Sequence, residues 1–183
     1  DLSIDDIGSR CGYIRYSSTW DLVSGNLEKF LHARRNNQNF HFSVCITINS
    51  LNIYYLDEIF DFFADKDLPT NFNMLHLPWH LNIKTLPDTI KQAITKKLQA
   101  YQSKQSHSQW HKQYWQDHQE VVLNFLTTPV DGQEKFFNEF IYYTKGLDLS
   151  RQQDLAQALP EFTSLLEAYL GCPWPEVDVP TLV

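Results

Sequence analysis

The sequence predicts an α/β fold: a partial (β/α) barrel fragment with parallel strands, followed by a mainly helical C-terminal extension. Two observations predict it. Strand-like runs at residues 1–5, 40–48 and 71–77 alternate with helical spacing, and strand–helix–strand repeats of this kind build parallel sheets through right-handed crossovers. Beyond Pro87 the strand pattern stops and amphipathic helices follow one another. The division predicted is therefore 1–86 for the half-barrel and 87–183 for the helical extension and tail. Because the chain opens at Asp1 directly on a strand, the expectation is a piece of a longer protein.

Residues 1–5 read as the end of a strand, and 6–18, with Gly8, Gly12 and a Ser-Ser pair, read as a long loop. Thr19 has the chemistry of a helix cap, and Leu22, Val23, Leu27, Phe30 and Leu31 recur with helical spacing until the polar run at 36–39. Residues 40–48 are β-branched and aromatic enough to be buried on both faces, as parallel strands usually are. A second helix follows at 53–64, with Leu56, Ile59, Phe60 and Phe63 on one stripe, and a third strand at 71–77 stops at Pro78. In the second half, helices are expected over 88–102, 106–126, 133–144 and 159–170, the last closed by Gly171. The end, from Cys172 to Val183, is extended, either packed back on the core or a tail.

Composition narrows the function. A core of useful size fits 183 residues at 43% hydrophobic. A net charge of −7 argues against a general nucleic-acid surface, since phosphate binding needs clustered Lys and Arg; Arg34-Arg35 and Lys96-Lys97 read as small solvated helix faces. No apolar run approaches the roughly 20 residues of a membrane span, and the amino end has no signal-peptide pattern, so a cytoplasmic location is the working assumption. Cys11, Cys45 and Cys172 have neither disulfide-ladder nor metal spacing and read as reduced thiols.

The run Ser3-Ile4-Asp5-Asp6, then Tyr13-Ile14-Arg15-Tyr16 and Trp20-Asp21, then Ile46-Thr47-Ile48-Asn49-Ser50-Leu51-Asn52 resembles the fourth to sixth strands of radical S-adenosylmethionine enzymes, particularly those related to twitch and SPASM proteins. Phe140-Ile141-Tyr142-Tyr143-Thr144, Leu147-Asp148, Arg151 to Asp154 and Leu159-Pro160-Glu161 resemble the tail of such proteins, so the likeness covers most of residues 1–170. It implies a partial barrel that binds S-adenosylmethionine against a 4Fe-4S cluster and cleaves it reductively to a 5′-deoxyadenosyl radical, with a peptide or protein as substrate. It also implies a cofactor-binding set: Ser3 and Asp5, which project to one side of a strand, Arg15, whose planar fork suits the methionine carboxylate, and Thr47 and Asn49 on the next strand. It identifies no catalytic residue. The family's Cys-x3-Cys-x2-Cys loop has no counterpart in this chain. The resemblance places it upstream in the parent, so the fragment is expected to hold neither cofactor alone and to be inactive alone.

Each residue also has a structural reading. Asp5 or Asp6 can cap a loop, Arg15 can bridge Asp5, Asp6 or Asp21, and Asn49 and Asn52 can close a turn. His76 and His80 flank Pro78-Trp79, where an active-site imidazole or a hydrogen-bonded structural one fits. His107, His111 and His118 have helical spacing that chelates a metal or packs a core, and Trp110, Tyr114 and Trp115 form either a stacking platform or core. The competing functions are a non-catalytic protein-binding or assembly domain and a metal-dependent hydrolase. An exposed sheet edge would be covered by the helical tail or by a second copy, as a homo-oligomer.

Overall fold

The computed structural model describes residues 1–37 and 39–179; Gln38, within the predicted helix-ending run, and the end of the predicted tail at 180–183 lie outside the described residues. Among the described residues, β1 (Leu2–Ser3), β2 (Val44–Ile48) and β3 (Thr70–Met74) form a parallel sheet in the order β1-β2-β3. Helices α1 (Gly8–Ile14) and α2 (Trp20–Asn36) connect β1 to β2, and α3 (Leu56–Ala64), entered through a 3-10 turn at Ile53–Tyr55, connects β2 to β3. The α/β class and the parallel pairing agree with the sequence reading.

The two faces of this sheet differ sharply. Register pairs Leu2 with Val44, Val44 with Thr70, and Ile46 with Phe72. Side chains alternate along a strand, so Ile4, Val44, Ile46, Ile48 and Thr70 share one face, where all are buried. The other face carries Ser3, Cys45, Thr47, Asn71 and Asn73, half-buried or exposed. Across its lower edge, Ser43 Oγ donates to Asp1 and accepts from Asn71 Nδ2. The expectation that residues 40–48 are buried on both faces is therefore corrected. Phe40 and Phe42 precede the strand and pack with Phe30 of α2, and β2 itself alternates because the helices cover one side of it.

A second correction concerns residues 6–18, which hold α1 rather than one long loop. The helix is short and contains two glycines, Gly8 and Gly12, but Arg10 reaches back one turn to Asp6, and Cys11 and Tyr13 are buried beneath it. Thr19 caps α2 as expected, its Oγ accepting from Leu22 N at 3.3 Å.

The second half is helical: α4 (Asp88–Ala100), α5 (Gln109–Thr127), α6 (Gln133–Arg151), α7 (Leu155–Ala158) and α8 (Pro160–Leu170). Ser108 caps α5 and Gly171, at φ +77°, closes α8. Helix α6 runs seven residues past its predicted end at 144, through Gly146 to Arg151; nothing lies within 4 Å of where a Gly146 side chain would sit, so the glycine is tolerated without ending the helix. Trp174 folds back on the core and is buried. Lys97 is no solvated charge: it donates to Asp57 and to Tyr54 O, pinning α4 to the start of α3. Arg34 likewise donates to Asp67 O at 2.7 Å. One contiguous hydrophobic cluster runs from Ile4 through Ile94 and Phe140 to Val177, so the sheet and the later helices share a core.

Candidate functional site

The carboxyl ends of β1 and β2 bring Ser3, Asp5, Arg15, Thr47 and Asn49 into one hydrogen-bonded rim. Beyond Ser3 the ladder continues from Ile4 N to Cys45 O at 3.1 Å, and then the Asp5 carboxylate takes over from the backbone, its Oδ1 accepting from Thr47 N at 2.9 Å. Asp5 Oδ2 accepts from Arg15 Nε at 2.8 Å and lies 2.7 Å from its terminal nitrogen, which also donates to Ser3 Oγ at 2.6 Å. Arg15 follows α1, and its side chain remains 42% exposed after making these bonds. One edge of its fork is fixed and the other faces outward.

Asn49 turns inward. Its Nδ2 donates to Thr47 O at 3.1 Å, its Oδ1 accepts from Leu51 N at 2.9 Å, and the residue is buried. Asn52, read from sequence only as a turn former, is the keystone of this turn. Its Nδ2 donates to both Asp5 O and Thr47 O, and its Oδ1 accepts from Asn49 N. The signal was the Asn-x-x-Asn spacing directly after a strand, which places two short amides around one turn.

Asp6 faces the covered side. Its Oδ1 accepts from Ile7 N and from Arg10 Nε at 2.8 Å, while Oδ2 is buried without a hydrogen-bond partner among the described residues. Burial outweighs the pull of Arg10 and pushes its carboxyl up to about 6. Arg10 continues to Glu58 at 3.1 Å and lies 4.2 Å above the Tyr55 ring, whose hydroxyl donates to Glu161. This chain ties α1, α3 and α8 together behind the rim. A second hub lies at Asp148 of α6, which accepts from Tyr13 OH at 2.7 Å, Trp174 Nε1 and Leu155 N.

Three of the seven histidines, His107, His111 and His118, lie in the helical half and are hydrogen-bonded. His107 bonds Ser103 and Asp65 through its two ring nitrogens, and His111 bonds Ser108 and Leu68 O. His118 bonds Tyr114 O and stacks on that ring, His76 meets Phe125, and His80 stacks on Tyr143. No group of three His, Cys, Asp or Glu able to hold a metal occurs among the described residues. Of the aromatic stripe, Trp115 is buried in the core, while Trp110 is exposed and stacks on Tyr114. Among the described residues no helix is long and apolar enough to cross a membrane. No family model, no curated protein and no solved structure matches the chain.

Proposed function

We propose that this chain is the carboxyl-terminal part of a radical S-adenosylmethionine enzyme, a wall of a partial (β/α) barrel whose open face meets S-adenosylmethionine. Its parent would be a cytoplasmic enzyme that modifies a peptide or protein. The observation that carries the reading is the polar, uncovered face of a parallel sheet, ending in the rim of Ser3, Asp5, Arg15 and Thr47. Strand order without reversal supports it, because right-handed crossovers then place both connections on one face, as in a barrel wall rather than a doubly wound sheet. In barrels of this kind ligands sit at the carboxyl ends of strands.

The iron–sulfur cluster does not fit this chain. Cys11 is buried, and burial raises its thiol, which disfavours a thiolate ligand. Cys45 lies on the open face and Cys172 follows α8, and no three ligands converge among the described residues. The parent would hold the cluster on other residues. S-adenosylmethionine itself fits the rim: the outward edge of Arg15 suits its carboxylate, and Ser3 and Thr47 offer hydroxyls beside it. When bound and given an electron by the parent's cluster, it would supply one-electron carbon chemistry that no side chain provides. Asp5 would set the plane of the Arg15 fork, and Asn49 and Asn52 would hold the turn that fixes Thr47.

Titration of the parent, carrying its cluster, with S-adenosylmethionine tests this, since the fragment alone is expected to hold neither cofactor. Arg15→Ala is expected to weaken binding about tenfold, which is about 1.4 kcal/mol, with little change in thermal stability. The bonds of Arg15 to Asp5 and Ser3 favour a second reading, a non-catalytic assembly scaffold in which Arg15 is only a bridge. Absence of binding, or a loss of stability equal to the loss of binding, selects that reading. In the parent, reconstituted with iron and sulfide without oxygen and given a one-electron reductant, release of methionine and 5′-deoxyadenosine from S-adenosylmethionine is the expected outcome, and its absence rejects the enzyme.

A further inference from the structure

A groove of about 710 Å³ runs between two walls that are distant in the chain. Helix α1 and the turn that leads into α2 form one wall, and residues 152–158, from the end of α6 through α7, form the other. None of Ser3, Asp5, Arg15, Thr47 and Asn49 lines it, so it is separate from the strand rim. The walls are tied together beneath the groove: Tyr13 OH donates to Asp148 at 2.7 Å, and Gln153 Nε2 donates to Gly12 O at 3.3 Å. A cleft of this size, fixed before a ligand arrives, has the dimensions of a small-molecule site.

The lining is polar and almost without charge. Ser9, Tyr16 and Ser17 on the first wall and Gln152 and Gln157 on the second are exposed, and among the described residues their side chains make no hydrogen bond with the rest of the chain. Each hydroxyl or carboxamide offers both a donor and an acceptor. No lysine, arginine or histidine lines the groove, and its one carboxylate, Asp154, spends Oδ1 on Ala156 N. Two rings complete it. Tyr16 is 53% exposed, with the Arg151 guanidinium 4.7 Å from its ring centre, and Trp20 is half-buried and braced by Phe62 at 5.4 Å.

The backbone of the two walls is unusual as well. Ser17 at φ +73° and Gln152 at φ +54° hold the left-handed conformation on opposite sides of the groove. Glycine adopts that region freely, whereas a residue with a side chain is strained there. At Gln152 the conformation ends α6, the task that Gly171 performs for α8. Here it comes with an amide on the groove wall.

We infer that this groove binds a neutral saccharide, whose hydroxyls exchange hydrogen bonds with Ser9, Ser17, Gln152 and Gln157 while the C–H face of its ring packs on Tyr16. A phosphate or carboxylate finds no cation in the lining, and a lipid chain finds no aliphatic wall. A sugar matches on both counts, because it is uncharged and presents donors, acceptors and an apolar ring face together.

The groove lies wholly within the chain, so the chain itself is titrated with glucose, galactose, N-acetylglucosamine and maltose, with glycerol and glucose 6-phosphate as controls, and binding is followed by saturation-transfer NMR. Saturable binding of at least one of the four sugars is expected, with none for glycerol and no gain for the phosphorylated sugar over glucose. Gln152→Gly keeps the left-handed backbone without strain and removes the amide. It is expected to fold as stably as wild type and to weaken the responding sugar about fivefold, the loss of one neutral hydrogen bond. Tyr16→Ala, at an exposed position, is expected to weaken it about tenfold. Equal affinity in wild type and both variants overturns the assignment, as does no saturable binding of any of the four sugars, which would leave the groove to water. Glucose 6-phosphate binding more tightly than glucose, with the gain removed by salt, would make the site one for anions and overturn it equally.

Discussion

Asp5 and Asp6 are neighbours in the chain and belong to opposite sides of one sheet. Asp5 points with Ser3 to the open side, where it is buried beneath the half-exposed Arg15 and satisfied by Arg15 and Thr47 N. Asp6 points with Ile4 to the covered side, where it has Arg10 but keeps one oxygen without a partner among the described residues. The same carboxylate is a fully hydrogen-bonded rim group in one setting and a carboxyl whose charge is disfavoured in the other. Parallel sheets are ordinarily covered on both faces. A parallel sheet with one face of Ser, Cys, Thr and Asn departs from that pattern, and the contrast between the faces is what the proposed function rests on.

The largest expected effect tests whether the faces differ at all. Ile46 is fully buried on the covered face, and Ile46→Ala is expected to cost about 2–5 kcal/mol. Its neighbour Cys45 points the other way, and Cys45→Ala is expected to cost under about 1 kcal/mol. Urea unfolding of the two variants reads the difference directly. Equal costs would erase the distinction between the faces.

The next effect separates the two aspartates. Folded Asp6 keeps its proton up to about 6, whereas its ordinary value is 3.8. The folded state therefore binds more protons in that interval. The stability this group contributes is complete below about pH 4 and is lost as pH rises through about 6, roughly 3 kcal/mol by pH 7. Asp6→Asn removes the dependence, so the stability of wild type relative to the variant is expected to fall by about that amount between pH 4 and pH 7. A constant difference across the range would place Asp6 in an environment no harsher than that of an exposed aspartate.

Much of this architecture was legible in the chain, and the failures have physical causes. The β2 core positions Val44, Ile46 and Ile48 and the α3 stripe of Leu56, Ile59, Phe60 and Phe63 announced themselves by periodicity, because burial selects apolar side chains at fixed spacing. Thr19 and Gly171 marked their helix ends because capping is local chemistry. Helix α1 was hidden because its stability comes from tertiary contacts, the Asp6–Arg10 pair and the burial of Cys11 and Tyr13, rather than from propensity. The openness of one sheet face was partly written in Cys45-x-Thr47 and Asn71-x-Asn73 but was outweighed by the flanking Phe40 and Phe42, which pack with Phe30 instead of in the strand. The shared side of Ser3 and Asp5 followed from strand alternation, whereas Arg15 was named only through the resemblance; the role of Asn52 depends on contacts between distant segments, which spacing alone does not encode.

Asn52→Ala tests the rim's scaffold at intermediate cost. It removes the amide that holds Asp5 O, Thr47 O and Asn49 N, all in a buried turn. Leaving such groups without partners costs about 1–3 kcal/mol. The rim would also lose its register, so S-adenosylmethionine binding is expected to fall together with thermal stability. A variant that lost stability while binding normally would show that the rim's geometry does not matter to the ligand.

The smallest effect on stability is the most discriminating for function. The main-chain groups of Thr47 are held by Asp5, Asn49 and Asn52, and its side chain stands half-buried on the open face. Thr47→Val keeps the β-branched shape that suits a strand and removes only the hydroxyl. Stability is expected to change by less than about 0.5 kcal/mol, as for surface positions without special contacts. If the open face meets S-adenosylmethionine, losing a neutral hydrogen bond of about 1 kcal/mol weakens its binding roughly fivefold, and calorimetric titration resolves that change. Unchanged affinity would confine ligand contact to the outward edge of Arg15 and leave the face of Ser3, Thr47 and Asn73 without a part in binding.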